Sequence, residues 1–281
     1  MRVVFARWVV LVVALGTLAP EAARADQAQD WVVGPTEEGT YVNLDFIFGG
    51  VQAGLEHRIP IYGNSNTLTL RGSGLATWPF GSTQADADLR IVNLTLGMSF
   101  GYQNNWRNLS FDPGARLDRK ERREREAAGE FNAEGFGFWE GRVSVPFLLN
   151  DYVVFNHLTA YRITGAPERT FDNLTNVVHD GEWVRTQLQL FFKHEDFGAL
   201  APTFEILHFP LDDDWHAQYN YGFFFVTRAG LVRRDDLLLW QMMFHSGEIL
   251  GGGYDNTDVY GAALFRGPFT FLLAYRSVIS L

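Results

Sequence analysis

The sequence predicts an all-β protein whose strands form a closed antiparallel transmembrane β-barrel of about twelve strands, within a range of ten to fourteen. Three observations predict this fold. Short segments that alternate apolar and polar residues recur along the chain, and the last of them continues to the final residue. Aromatic residues make up 15% of the chain, yet the mean hydropathy is only −0.08. After the N-terminal region, no uninterrupted apolar run reaches the roughly 18 residues that a membrane-spanning helix requires.

The N-terminus has the pattern of a secretory signal peptide. Arg2 and Arg7 supply a positive start, residues 8–19 are apolar, and Ala23-Arg24-Ala25 has the small-x-small form of a cleavage site. The apolar core is too short to span a bilayer as a helix. We therefore expect a signal peptide at 1–25 and a barrel domain at 26–281. An uncleaved membrane anchor is the alternative.

The strands follow from alternation of side chains between two faces. In the segment 90–102, one face carries Val92, Leu94, Leu96, Met98, Phe100 and Tyr102, and the other carries Asn93, Thr95, Gly97, Ser99 and Gly101. The predicted strands are 41–48, 51–61, 67–78, 90–102, 136–147, 152–164, 183–193, 201–208, 218–228, 237–246, 258–266 and 268–281.

The strand count depends on Gly49-Gly50. A tight turn there gives twelve strands, and a continuous strand gives eleven. With twelve strands, the long stretch 104–131 falls at the same end of the barrel as the N-terminus, where short turns are usual. This conflict indicates that one hairpin is misplaced.

The stretch 112–130 differs from the rest because it is densely charged. Between Arg116 and Glu130, opposite charges recur at spacings of three and four residues, which favours a short exposed helix. The stretch is either a solvated loop or a loop that binds lipid headgroups or a partner.

Alternation alone does not distinguish a membrane barrel from a soluble β-sandwich, because each has one apolar face. The length of the strands favours the barrel. So do the aromatic residues near strand ends (Trp78, Phe80, Tyr102 and Trp106), which are typical of interfacial girdles.

The C-terminal segment 269–281 carries the most specific signal. Its alternating apolar residues are Phe269, Phe271, Leu273, Tyr275, Ile279 and Leu281. This segment resembles the last strand of bacterial outer-membrane barrel proteins of the porin-like class, although Leu281 stands where Phe is usual and Ser277 interrupts the apolar face. The resemblance implies a location in the outer membrane, contact with its lipids, and recognition of 269–281 by the barrel assembly machinery.

If the apolar faces contact lipid, the polar faces line a lumen. The candidate lumenal residues are Arg71, Asn93, Glu140, Arg142, Arg185, Gln187, Lys193, Glu205, Arg228, Gln241, His245 and Arg276, together with Thr95 and Gln189. Six are cationic and two are acidic, so the sequence predicts a passive pore or small-solute channel with a weak preference for anions. A packed interior in which these groups pair is the alternative, and it leads to a non-conducting structural or adhesion barrel.

An enzyme is the other alternative. Some outer-membrane phospholipases and lipid A deacylases resemble this barrel class and use a His that activates a nearby Ser. Here His245 and Ser246 are adjacent, so they take opposite faces of a regular strand. A hydrolase using His245 therefore stays a secondary hypothesis.

Composition argues against other classes. The net charge of −10 disfavours nucleic-acid binding, and the absence of cysteine excludes disulfides and thiolate metal sites. The His spacings predict no metal site, and no cofactor is expected.

Overall fold

The computed structural model of the chain describes residues 38–47, 49–61, 66–77, 80–106, 128, 135–168, 170–172, 175, 177–194, 198–211, 213–229, 236–246 and 269–281. These residues form fourteen strands. The strands are β1 Gly39–Ile47, β2 Gly50–Pro60, β3 Thr67–Thr77, β4 Phe80–Ile91, β5 Leu94–Asn105, β6 Gly135–Asn150, β7 Val153–Thr164, β8 Thr170–Asp172, β9 Val177–His179, β10 Glu182–His194, β11 Gly198–Leu211, β12 Asp214–Arg228, β13 Leu237–Ser246 and β14 Phe269–Ser280.

Twelve of these strands form one closed antiparallel barrel, which confirms the predicted fold class. Each strand pairs with its neighbours in the chain, and β7 pairs with β10 across the separate β8–β9 hairpin. The barrel closes where β1 pairs with β14, from Tyr41 opposite Ser280 to Ile47 opposite Ala274. Closure satisfies the hydrogen-bonding groups of the first and last strands, so the wall has no free edge.

The twelve barrel strands are not the twelve segments that the sequence predicted. The segment 90–102 is divided by a turn at Val92 and Asn93, and Val92 has a positive φ of 54°. The strand β4 before this turn was missed, because its outward face carries the small residues Ala85 and Ala87 and its inward face carries acids, all weak β-formers. The predicted strand 258–266 lies outside the described residues, and β13 pairs directly with β14.

The additional strand resolves the conflict over the long stretch 104–131. Five strands, not four, precede the connection 106–134, which places it at the end of the barrel opposite the two chain ends. The connections 165–181 and 247–268 belong to this long-connection end as well. The termini end has only the shorter connections 61–66, 92–93, 151–152, 195–197 and 229–236. Gly49 has a φ of 88°, a conformation that favours glycine in turns, and β2 begins at Gly50. A turn therefore separates β1 from β2, as the twelve-strand count required.

The two faces of the wall differ in chemistry. Large apolar side chains on the outward face are exposed, including Phe46 at 55% and Phe100 at 56%. The charged side chains Asp86 and Glu140, on inward positions, are 5% and 4% exposed. Among the aromatics expected at strand ends, Tyr102 and Trp106 are exposed, but Phe80 is buried and was wrongly assigned to a girdle.

One part of the interior is apolar. Near the termini end, a buried cluster is formed by Val154, Phe191, Ala199, Ala201 and Val226. Among the described residues, no helix is long and apolar enough to cross a membrane.

Candidate functional site: the charged interior of the barrel

The centre of the charged interior is Arg142 on β6. Its Nη2 lies 2.7 Å from Oδ1 of Asp88, and its Nη1 lies 3.2 Å from Oδ1 of Asp86 and 3.7 Å from Oε1 of Glu140. Both aspartates belong to β4, so the guanidinium reaches across the whole width of β5. The arginine therefore joins three strands of the wall.

The reach of Arg142 depends on a glycine. Gly97 on β5 stands opposite both Arg142 and Asp88 in the strand register. A Cβ added at Gly97 would lie 2.2 Å from Oδ1 of Asp88 and 2.6 Å from Nε of Arg142. The missing side chain therefore provides the space in which this ion pair forms.

A second arginine, Arg162 on β7, also binds Glu140. The distance from its Nη2 to Oε2 of Glu140 is 2.7 Å. Its guanidinium carbon lies 4.1 Å from the ring centroid of Phe138 and 4.8 Å from that of Trp183. Trp183 is 1% exposed, so this cation–π contact is shielded from water.

Two more ion-pair groups continue along the wall. Glu56 on β2 contacts Arg58, and its Oε2 lies 2.8 Å from Nη2 of Arg71. Across the barrel closure, Arg276 binds both carboxylate oxygens of Asp45, at 2.7 and 2.9 Å. This bidentate geometry is a strong form of the arginine–carboxylate pair.

A network of amide side chains crosses the middle of β10 to β12. The carboxylate of Glu205 accepts hydrogen bonds from Nε2 of Gln187 at 3.3 Å and from Nδ2 of Asn220 at 2.7 Å. Further along, Asn156 donates to Gln189, and Gln189 donates to Thr203. Together with the acid Glu205, these amide groups give this part of the wall fixed dipoles.

The β8–β9 hairpin adds a buried polar cluster near the long-connection end. Asp172 is 0% exposed and accepts hydrogen bonds from Nε2 of Gln103 and from Nε1 of Trp183, both at 3.4 Å. Nε2 of His179, also fully buried, lies 3.8 Å from Oδ2 of Asp172. Gln103 belongs to β5 and Trp183 to β10, so the hairpin contacts strands that are not adjacent in the barrel.

The structure places the predicted lumenal residues in several groups. Arg71, Glu140, Arg142 and Arg276 enter the ion-pair groups, and Gln187 and Glu205 enter the amide network. Gln241 is half-buried on an inward register position opposite Phe224, whereas Lys193 and Arg228 lie near the termini end. Arg185 contacts Trp183 but makes no ion pair within the described residues.

One predicted site residue needs correction. Asn93 was placed on the polar face of a strand, but it lies in the turn between β4 and β5, so it belongs to the rim of the barrel rather than to its wall. The reason is the turn at Val92, which ends the alternation that the sequence pattern continued.

Sequence reasoning also missed interior charges. The inward face holds the additional acids Asp45, Glu56, Asp86 and Asp88 and the additional arginines Arg58, Arg90 and Arg162. An alternating Asp-Ala-Asp-Leu-Arg pattern at 86–90 was the available signal. The interior is consequently closer to charge balance than the predicted ratio of six cations to two acids indicated.

The enzyme hypothesis gains no support from the register. The backbone of His245 stands opposite Asn220 in the inward row, and that of Ser246 stands opposite Tyr219 in the outward row. Their side chains lie outside the described residues, as does the charged stretch 112–130 apart from Ala128. Within the described part of the chain, no group of three or more metal-ligating side chains occurs.

Comparison with solved structures finds outer-membrane barrel proteins. The NanC porin has a TM-score of 0.42 at 10% identity, with 86% of this chain and 98% of that chain covered. The KdgM porin, in complex with disordered oligogalacturonate, has a TM-score of 0.36 at 7% identity, with 85% and 96% covered. LpxR from Salmonella typhimurium has a TM-score of 0.38 at 7% identity, with 86% and 100% covered. At such low scores and identities, these similarities carry no information about what the chain binds or transports.

No protein-family model matches the sequence. No curated protein sequence matches it either.

Proposed function

We propose that this chain is an outer-membrane β-barrel that acts as a passive pore for small solutes, with a weak preference for anions. The observation that carries the proposal is the sorting of side chains in a closed barrel. Apolar residues face outward and charged residues face inward, which is the reverse of a water-soluble barrel.

The outward face is costly in water. Phe46, Val51, Leu55, Phe100 and Leu149 are each between 47% and 63% exposed. Fully burying such a side chain contributes about 1.5–3 kcal/mol, so a wall that leaves many of them half-exposed is stable only in an apolar surrounding. A bilayer supplies that surrounding, and the closed wall leaves no backbone group unpaired at a sheet edge.

A pore also requires that water reach the interior. Arg276 keeps 42% of its side-chain surface exposed and Arg71 keeps 35%, although both point inward and hold acids. These exposed cations, with Arg185, favour anions, whereas the balancing carboxylates limit the preference.

The topology supports an orientation with the termini end in the periplasm. In outer-membrane barrels, periplasmic turns are short and external loops are long. Cleavage of a signal peptide at 1–25 and recognition of 269–281 by the assembly machinery belong to the same proposal. Outer-membrane lipids are the expected partners of the outward face.

Conductance tests the pore. Protein refolded in detergent and added to planar lipid bilayers is expected to give stepwise current increases in KCl, with a reversal potential that indicates modest anion preference. Absence of channels would favour the non-conducting barrel, and clear cation selectivity would refute the anion preference. Release of fatty acid from lipid, lost in His245→Ala, would instead support the hydrolase.

A further inference from the structure

Five of the described interior arginines hold an acid, Arg90 donates to the carbonyl oxygen of Val92, and Arg185 does neither. Arg58, Arg71, Arg142, Arg162 and Arg276 all lie within ion-pair distance of a carboxylate. Arg185 makes no ion pair and no hydrogen bond within the described residues, and its Nε is buried without a hydrogen-bond partner. A buried N–H group without an acceptor is destabilising, so this donor favours a bound acceptor.

A second unsatisfied donor lies close by. Nη1 of Arg162 is buried without a hydrogen-bond partner, although Nε and Nη2 of the same guanidinium donate to Glu140. The guanidinium carbons of Arg162 and Arg185 lie 4.8 and 5.5 Å from the ring centroid of the same indole, that of Trp183. Two unsatisfied guanidinium donors are therefore held beside one rigid aromatic ring.

The strand register places a small residue between these donors and a third arginine. Ala160 on β7 stands opposite Arg185 on one side and Arg142 on the other. Neighbouring strands are about 4.8 Å apart, so the methyl group of Ala160 separates two long cationic side chains that start roughly 10 Å from each other. Arg162 is two residues further along the same face of β7. Three arginines thus lie around Ala160, which is itself only 1% exposed.

Glu205, the acid beside Arg185 in the strand register, already binds two amide side chains. Glu205 is a diagonal neighbour of Arg185, because Gln187 pairs with Glu205 and Arg185 pairs with Leu207. Its two oxygens accept hydrogen bonds from Gln187 and Asn220 instead. No acid of the described residues therefore supplies the acceptor that Arg185 requires.

We propose that Arg185 and Arg162, oriented by Trp183, form a binding site inside the barrel for a small solute that carries a carboxylate. The fork of a guanidinium presents parallel N–H groups that match the two oxygens of a planar carboxylate, and stacking on an aromatic ring fixes the plane of the fork. The inference rests on the proposed pore, because a solute reaches this position only through the barrel interior.

Calorimetric titration of the refolded protein in detergent micelles with sodium malonate tests the site. Wild-type protein is expected to bind malonate but not its neutral analogue malonamide. The Arg185→Gln variant should lose at least tenfold in affinity, and Arg185→Lys, which keeps the charge but not the fork, at least threefold. The matched control is Arg228→Gln, which removes one positive charge near the termini end of the interior, and it should stay within twofold of wild type.

Several results would overturn the site. They are absence of malonate binding to wild-type protein, an equal loss in Arg228→Gln and Arg185→Gln, and tighter binding of inorganic phosphate than of malonate. A gel-mobility shift on boiling confirms that each variant is folded before titration. Channel recordings in KCl test the pore, and titration in micelles does not require conductance, so failure of the pore and failure of the site are distinguishable.

Discussion

Removal of the Arg142 guanidinium is the most direct test of the interior network. The Arg142→Met variant keeps most of the apolar stem of the side chain but leaves the carboxylates of Asp86 and Asp88 without their cation. The side chain of Asp86 is only 1% exposed, and those of Asp88 and Arg142 are 18% and 19% exposed. Leaving a buried charge unpaired costs about 3–5 kcal/mol, and partial access of water to Asp88 favours the lower value.

The expected result is a loss of about 3 kcal/mol in the free energy of unfolding. With a urea dependence of about 2–3 kcal/mol per molar, the unfolding midpoint falls by roughly 1–1.5 M. The assay is urea-induced unfolding in lipid vesicles, followed by tryptophan fluorescence. The matched control is Arg185→Met, which leaves no acid unpaired and removes an unsatisfied buried donor, so it should not lower the midpoint.

A second substitution separates the ion pair from simple packing. The double variant Asp86→Asn with Arg142→Met removes the most buried orphaned carboxylate, so it should be more stable than Arg142→Met alone. The reasoning fails if Arg142→Met unfolds at the wild-type midpoint, or if the double variant gains nothing over the single one.

Three further predictions concern close approach, the hairpin and the orientation of the wall. Gly97→Ala should lower the free energy of unfolding by about 1–3 kcal/mol in the same urea assay, because its Cβ would lie 2.2 Å from a carboxylate oxygen of Asp88. The control is Gly72→Ala, whose Cβ would have no atom within 4 Å, and it should change the free energy of unfolding by less than about 0.5 kcal/mol. Equal effects of the two alanines would contradict the close-approach argument. Asp172→Ala removes the acceptor of two buried donors that hold the hairpin, so single-channel recordings should show more frequent transitions between current levels than wild type. Unchanged traces would show that the hairpin does not depend on this carboxylate. The chain has no cysteine, so the single thiol of a cysteine variant reports on one position. In lipid vesicles, Arg71→Cys should react with a membrane-impermeant maleimide, and Phe100→Cys should not. The opposite pattern would reverse the assignment of the two faces of the wall.

Alternation predicted the barrel because the outward face of most strands carries large apolar residues. It failed for β4, whose outward residues Ala85 and Ala87 are only weakly apolar, so the alternation with the inward aspartates was overlooked. It also failed for β8 and β9, whose three residues each are too few to show any period. Local pattern therefore identifies a strand only where neighbours differ strongly in polarity.

The interior chemistry was predictable only in part. Arg142 and Arg276 were identified as inward cations from their own strands, but Asp86, the partner of Arg142, lies two strands away, and Asp45, the partner of Arg276, lies across the closure. Pairing between strands depends on register, which a single sequence does not specify. For the same reason, the special position of Arg185 became visible only when every acid near it had been placed.

The arrangement of connections has a consequence for how this chain can vary. Among the described residues, every pair that builds the wall joins two barrel strands, and the connections 106–134, 165–181 and 247–268 lie between those strands in the chain. All three segments emerge from one rim, which faces the surroundings of the cell if the chain ends face the periplasm. Phages, antibodies and host surfaces would then meet the most replaceable part of the molecule. We expect selection by such agents to change the residues of that rim while the barrel wall beneath it stays the same.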